Sequence, residues 1–172
     1  MTAYVALLRA VNVAGTGKLA MADLRAMCAG LGWRNVRTFI ASGNVLFECE
    51  LPEAAVKAAI EAALMVHAGK HVPVFVRSAQ EMADIVAANP FPDANGSRHM
   101  VDFYDAPPPP DLLDQLRDRA GERTALGLRE LHVDYADNIR NTRLKIPNRE
   151  NRTGRNINSV RKMAVMLSGE RG

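Results

Sequence analysis

An α+β chain of two small, similar units with antiparallel sheets is predicted by three observations. Over residues 1–77, apolar runs of strand length and apolar stripes of helical spacing alternate in the order β-α-β-β-α-β. Most of that order recurs over residues 78–172, which suggests an internal duplication. A chain of 172 residues, 48% hydrophobic and 24% charged, is long and apolar enough to give such units real cores. The order is the split βαβ, or ferredoxin-like, pattern. The predicted units are 1–77 and 78–172, the second incomplete and ending in a basic C-terminal segment.

The elements follow in order. Tyr4 to Leu8 is an apolar run fit for a central strand, ending in Arg9 and Asn12 and running into a loop that carries Gly15, Gly17 and Lys18. Met21, Leu24, Met27, Cys28 and Leu31 recur at helical spacing, with Gly32 as a stop. Val36 to Ile40 and Val45 to Phe47 are β-rich runs joined around Ser42-Gly43-Asn44, a hairpin turn. Pro52 suits the first turn of a helix whose apolar stripe is Val56, Ile60, Ala63, Leu64 and His67. Val72 to Val76 closes the unit, with Pro73 where an edge strand or strand start tolerates it.

In the second unit, Ser78-Ala79-Gln80-Glu81 is a capping-box signature for a helix stopped by Asn89-Pro90. Met100 to Tyr104 reads as a strand, and Pro107 to Pro110 as a stiff spacer before a helix through Leu112, Leu113 and Leu116. Ala125 to Leu128 and Leu131 to Tyr135 read as strands. Ile139 to Ile146 suggests a short helix halted by Pro147, and Val160, Met163, Ala164 and Leu167 mark a last amphipathic helix. The unit thus lacks a recognisable closing strand.

No apolar run approaches the roughly 18 residues that span a bilayer, so no membrane partner is expected. The N-terminal run is interrupted by Arg9 and has no basic leader, unlike a signal peptide. Cys28 and Cys49 lack metal-ligand spacing and suit packing in a reducing cytoplasm, the expected location. Charge is unevenly spread: from Arg140 onward the net charge is +7, against −4 over residues 1–139. A basic end on a mildly acidic body either attracts phosphate or another anion, or pairs with the chain's own carboxylates.

The residues that could carry chemistry fall in three places. Arg9, Asn12 and Lys18 stand at the end of the first strand, where α/β architectures commonly receive ligands. Gly15-Thr16-Gly17-Lys18-Leu19 is no P-loop: Asn12 stands where the first glycine belongs, and Leu19 where the magnesium-binding hydroxyl belongs. Lys18 and the loop amides could still meet an anion. Ser42 and Asn44 sit in the hairpin turn; Ser42 lacks the Gly-x-Ser-x-Gly elbow, so its hydroxyl serves the turn.

Arg155, Asn156 and Asn158 precede or open the last helix, with Asn158 or Ser159 as its N-cap, and could form an anion pocket with the helix start. His67 and His71 have the i, i+4 spacing of a metal pair, but Gly69 interrupts the helix, and a helix-end packing role is expected for His67. Asp134 and Asp137 suit a turn and cap. No triad, dyad or metal set stands out, and no cofactor is expected.

Four segments carry a family resemblance. Leu7-Leu8-Arg9-Ala10-Val11-Asn12, Thr38-Phe39-Ile40-Ala41-Ser42-Gly43-Asn44-Val45, Ala88-Asn89-Pro90-Phe91 and Arg155-Asn156-Ile157-Asn158-Ser159-Val160 resemble the motifs of the bacterial domain-of-unknown-function family 1697. Ala10 replaces a glycine usual in the family, and Ile157 a tryptophan, which removes any stacking face there. The resemblance implies a pair of ferredoxin-like units and no established activity.

Three functions compete. The favoured one is binding of an anionic ligand, phosphate-bearing or nucleic acid, through Arg9, Asn12, Lys18 and the Arg140 to Lys162 segment, which suits phosphates and base edges. The 5% aromatic content and the absence of a Lys/Arg-Gly-Phe pattern in Val45-Leu46-Phe47-Glu48 argue against base-stacking RNA recognition. The alternatives are an enzyme acting on a small anionic substrate, oriented by Asn12, Ser42 and Asn44, or a protein-interaction module. The oligomeric state is not legible.

Overall fold

Thr2–Leu8 forms β1, and its antiparallel partners are Asn44–Cys49 (β3) on one side and Val74–Ser78 (β4) on the other. The apolar opening run is therefore an interior strand, as its composition demands. Arg34–Thr38 (β2) completes a four-stranded sheet of order β2-β3-β1-β4. The computed structural model describes residues 1–10, 18–136 and 140–169. Asn12 and the glycines of the 15–17 loop lie outside the described residues, as do Asp137 and Ile139.

One face of this sheet presents Tyr4, Ala6 and Leu8 of β1, Val45 and Phe47 of β3, and Val74 and Val76 of β4. Helices Met21–Gly30 (α1) and Glu53–Ala68 (α2) cover that face with Leu24 and Cys28, and with Val56, Ile60 and Leu64. Trp33 stacks on Phe47 with ring centroids 4.3 Å apart, adding aromatic contact to the burial. Both cysteines are buried and free. Burial pushes the Cys28 thiol up to about 12, leaving it a packing group. His67 does not join the stripe: it lies one turn past Leu64 and is exposed.

The capping box forms as predicted: the Ser78 amide donates to Glu81 Oε1 (3.0 Å) and the Glu81 amide to Ser78 Oγ (3.1 Å), opening Ala79–Ala87 (α3). His99–Tyr104 (β5), a single turn Leu112–Gln115 (α4), Arg123–Leu126 (β6) and Glu130–Asp134 (β7) follow. The closing strand that hydrophobic periodicity missed is Arg152–Asn156 (β8), paired with β5; a 3-10 turn, Arg149–Asn151, precedes it and Ile157–Ser168 (α5) follows. The second sheet thus has the order β6-β7-β5-β8, which repeats that of the first.

The predicted helix ending at Ile146 is also corrected: residues 140–146 are not helical, and Lys145 pairs with Arg117 through two backbone bonds of 2.9 and 3.1 Å. Leu144 and Ile146 still reach a core of Tyr104, Leu112, Leu131 and Val133. Among the described residues, what the second unit lacks is an α-helix between its last two strands rather than the last strand.

The chain divides into two compact units, Met1–Met82 with the segment from Met163, and Ala83–Lys162. Each has an α+β, ferredoxin-like arrangement of four antiparallel strands.

Ala10, next to the end of β1, has φ 55°. An L-residue in this left-handed region costs about 1–2 kcal/mol, partly offset by the smaller unfolded-state entropy of alanine relative to glycine. Ala10→Gly is therefore expected to gain up to about 1 kcal/mol in urea denaturation. A loss of stability would mean the alanine methyl makes a contact that outweighs the strain.

Candidate functional site

The C-terminal end of β1 is held from both sides. The Leu8 amide donates to the Gly43 carbonyl in the β2–β3 turn (2.8 Å), and the Arg9 amide donates to the carbonyl of Pro73, just before β4 (2.9 Å). On the turn side, the buried Asn44 amide nitrogen donates to the Phe39 carbonyl (2.9 Å) and to Ser42 Oγ (3.0 Å). Ser42 and Asn44 therefore brace the turn that braces the strand. Ala10 and Ile40 (φ 51°) both flank this end in the left-handed region. For a β-branched residue this is a real outlier, of the kind that gathers at functional positions.

Beyond the strand end, on the Pro73 side, opens a cleft of about 470 Å³. It is lined by the polar side chains of Arg9, Lys18, His67, Lys70 and His71 and by the apolar ones of Leu19, Leu64, Ala68, Val72 and Pro73. The sequence folds this way because Gly69 ends α2. At φ 70° it takes the left-handed C-cap conformation, its amide donates to the Met65 carbonyl (2.9 Å), and the chain turns so that Lys70 and His71 join His67 in lining the cleft. Among the described residues, no carboxylate lines the cleft. Two stand close to the histidines: Asp23 Oδ2 is 3.8 Å from His67 Nε2, and Glu61 Oε2 is 3.4 Å from His71 Nε2. Glu61 also pairs with Lys57 (2.8 Å).

Of the residues singled out from the sequence, Arg9 and Lys18 share this cleft, and Ser42 and Asn44 form the adjoining turn. Lys70 was not among them, and His67 and His71 were weighed only as a metal pair and set aside. The i, i+4 histidine spacing across a glycine was the available signal, although it pointed to metal. Among the described residues, no group of three or more His, Cys, Asp or Glu side chains is arranged to hold a metal ion.

The residues at the start of α5 are engaged internally. Arg155 is buried, with Nη1 donating to Thr153 Oγ1 and to the Gly154 carbonyl, both at 2.9 Å, and burial lowers its guanidinium to about 10. Asn156, rather than Asn158 or Ser159, is the cap: its Oδ1 accepts the Ser159 amide at 2.9 Å, the kind of donor an anion would need. Asn158 accepts a 3.4 Å bond from Arg161, and its side chain closes over Gly96, leaving no room for a β-carbon there.

A wider cleft in the second unit, about 820 Å³, mixes charges: Arg119, Arg143 and Lys145 against Asp118 and Glu122. Lys145 pairs with Asp118 (3.2 Å), and Glu122 accepts the Thr142 hydroxyl (2.6 Å) and the Ala120 amide (2.7 Å), which hold its carboxyl below the usual range. Lys145 and Asp118 thus offset each other, and Glu122 is taken up by Thr142 and Ala120. The second sheet also buries His99 and His132 in mutual contact, Nε2 to Nδ1 at 2.8 Å, with Asp134 held by Arg123 (2.7 and 2.9 Å).

The family model described as "Protein of unknown function (DUF1697)" matches residues 1–132. Among solved structures, the chain is similar to the conserved bacterial protein SP0830 from Streptococcus pneumoniae. The two share 23% identity over 96% of this chain and 98% of that one, with a TM-score of 0.82, a likeness of fold. Comparison with curated proteins gives no match.

Proposed function

The chain belongs to the family described as "Protein of unknown function (DUF1697)", and on that footing we propose that it binds a small anionic, phosphate-bearing ligand in the cleft at the end of β1. The observation that carries this is the composition of the lining: three permanent cations and two histidines, with no carboxylate among the described lining residues. A volume of about 470 Å³ is of small-molecule size, and the apolar wall suits a ligand with both a charged and an apolar part. Ser42 and Asn44 would act by holding the strand end that carries Arg9.

A nucleic-acid backbone is favoured less. Of the basic C-terminal residues, Arg155 is buried and Arg152 pairs with Asp102 (3.2 Å), so the stretch is less cationic at its surface than its sequence suggests. An enzyme acting on the bound anion is the second reading. What favours it is the pair of histidines lining the cleft, the side chains suited to proton exchange near neutral pH.

Calorimetric titration with phenyl phosphate tests the proposal. Arg9→Ala combined with Lys18→Ala is expected to weaken binding by tenfold or more, since each charge-assisted bond contributes about 1.5–3 kcal/mol. Arg149→Ala combined with Lys162→Ala is expected to leave it unchanged. No binding by the wild-type protein, together with salt-sensitive binding of duplex oligonucleotides, would move the function to a nucleic-acid surface.

A further inference from the structure

Resting on anion capture in that cleft, we infer that His67 and His71 make the capture proton-dependent, so that the ligand is held more tightly as pH falls from 8 to 6. Both imidazoles line the same cleft as Arg9, Lys18 and Lys70. Their side chains keep 40% and 61% of their exposure, so protons reach them without any opening of the fold. Each proton gained adds a cation facing the ligand, and histidine is the side chain that changes charge in this interval.

The surrounding charges are in place for the exchange. Asp23 of α1 stands beside His67, and Glu61 of α2, shared with Lys57, beside His71. Linkage makes the effect reciprocal: if protons tighten the anion, the anion must draw protons onto the protein by the same factor.

Inorganic sulfate is the probe, because it stays dianionic from pH 8 to 6, whereas a phosphate monoester loses charge with a second pKa near 6. Calorimetry at constant ionic strength is expected to show sulfate affinity rising about tenfold from pH 8 to pH 6. Repeating it at pH 7 in buffers of different ionisation enthalpy should show proton uptake on binding. In the His67→Gln/His71→Gln protein the ratio of the two affinities should fall to about one and the uptake should vanish; circular dichroism would verify that this variant is folded.

Sulfate that binds equally at both pH values would overturn proton control and leave the anion cleft standing. A pH slope that survives in the double variant would assign the protons to other groups and overturn the role of the histidines. Failure of sulfate and inorganic phosphate alike at both pH values would overturn the anion cleft, and proton control with it.

Discussion

Arg152→Ala is expected to cost about 3–5 kcal/mol of stability, the usual consequence of leaving a buried charge without its partner. Asp102 lies in the middle of β5, and its Oδ2 meets Arg152 Nη1 at 3.2 Å across the β5–β8 pair. Gly154, opposite Asp102, keeps the space open: a β-carbon there would fall 2.7 Å from Asp102 Oδ1. Burial raises the Asp102 pKa, and Arg152 pulls it back down.

Without Arg152 only the upward push remains. A carboxyl whose folded pKa is raised binds its proton more readily in the folded state. Its contribution to stability is then greatest at low pH and is lost as pH rises towards the folded value. The damage in Arg152→Ala should therefore be smaller at pH 5 than at pH 7. Replacing both members, Asp102→Leu with Arg152→Met, should recover most of the loss, because no charge is left buried. Urea denaturation of the three proteins at the two pH values checks this. A double variant as unstable as the single one would show that the two residues matter through packing instead.

Acid is expected to remove about 3 kcal/mol of stability between pH 6.5 and pH 4 through the His99–His132 pair, converting a displacement of about 2.5 pKa units at 1.36 kcal/mol each. Burial, and then His99 beside it, push His132 from 6.5 down to about 4. His99 is lowered too, chiefly by burial, with Arg161 and Arg123 adding to that and Asp134 opposing it. The 2.8 Å contact needs one ring to donate and the other to accept, which two imidazolium rings cannot do. Among the described residues, His99 Nδ1 has no hydrogen-bond partner.

The sign follows: below pH 6.5 the unfolded chain takes up protons that the folded pair refuses, so stability is complete above 6.5 and falls towards 4. Asp134 acts in a lower window. Burial pushes its carboxyl up, but the Ala136 amide and Arg123 outweigh that and hold it below the usual value, so its contribution is lost only through the carboxylate range. A His99→Leu/His132→Leu protein should lose the pH dependence between 6.5 and 4.5 in chemical denaturation. An unchanged slope would assign the titration elsewhere.

What could be read in the chain, and what could not, has physical causes. β1 and β3 were legible because their inward side chains are apolar on a buried sheet, and α3 because the Ser78–Glu81 bonds are local. β8 was not: Arg-Thr-Gly-Arg-Asn has no apolar side to reveal a period, and its burial depends on Arg152 meeting Asp102 fifty residues earlier. For the same reason nothing in a wholly polar strand says which side faces inward, so Arg155 looked available while being enclosed. Leu144 and Ile146 imitate a helical stripe, yet reach the core from an irregular segment pinned through Lys145 and Arg117.

At the candidate site, Arg9 and Lys18 were legible as polar residues where an apolar strand ends. Lys70 and His71 join them because Gly69 turns the chain back at the end of α2, a tertiary consequence of one residue's left-handed backbone.

The most direct test of the anion cleft is a backbone amide NMR titration of the wild-type protein with inorganic phosphate. The expected result is saturable shifts confined to Arg9, Ala10, Lys18, Leu19 and the His67 to Val72 segment, with the amides of Arg149 to Lys162 unmoved. Shifts gathered on Arg149 to Lys162, or none at all up to saturating phosphate, would contradict it.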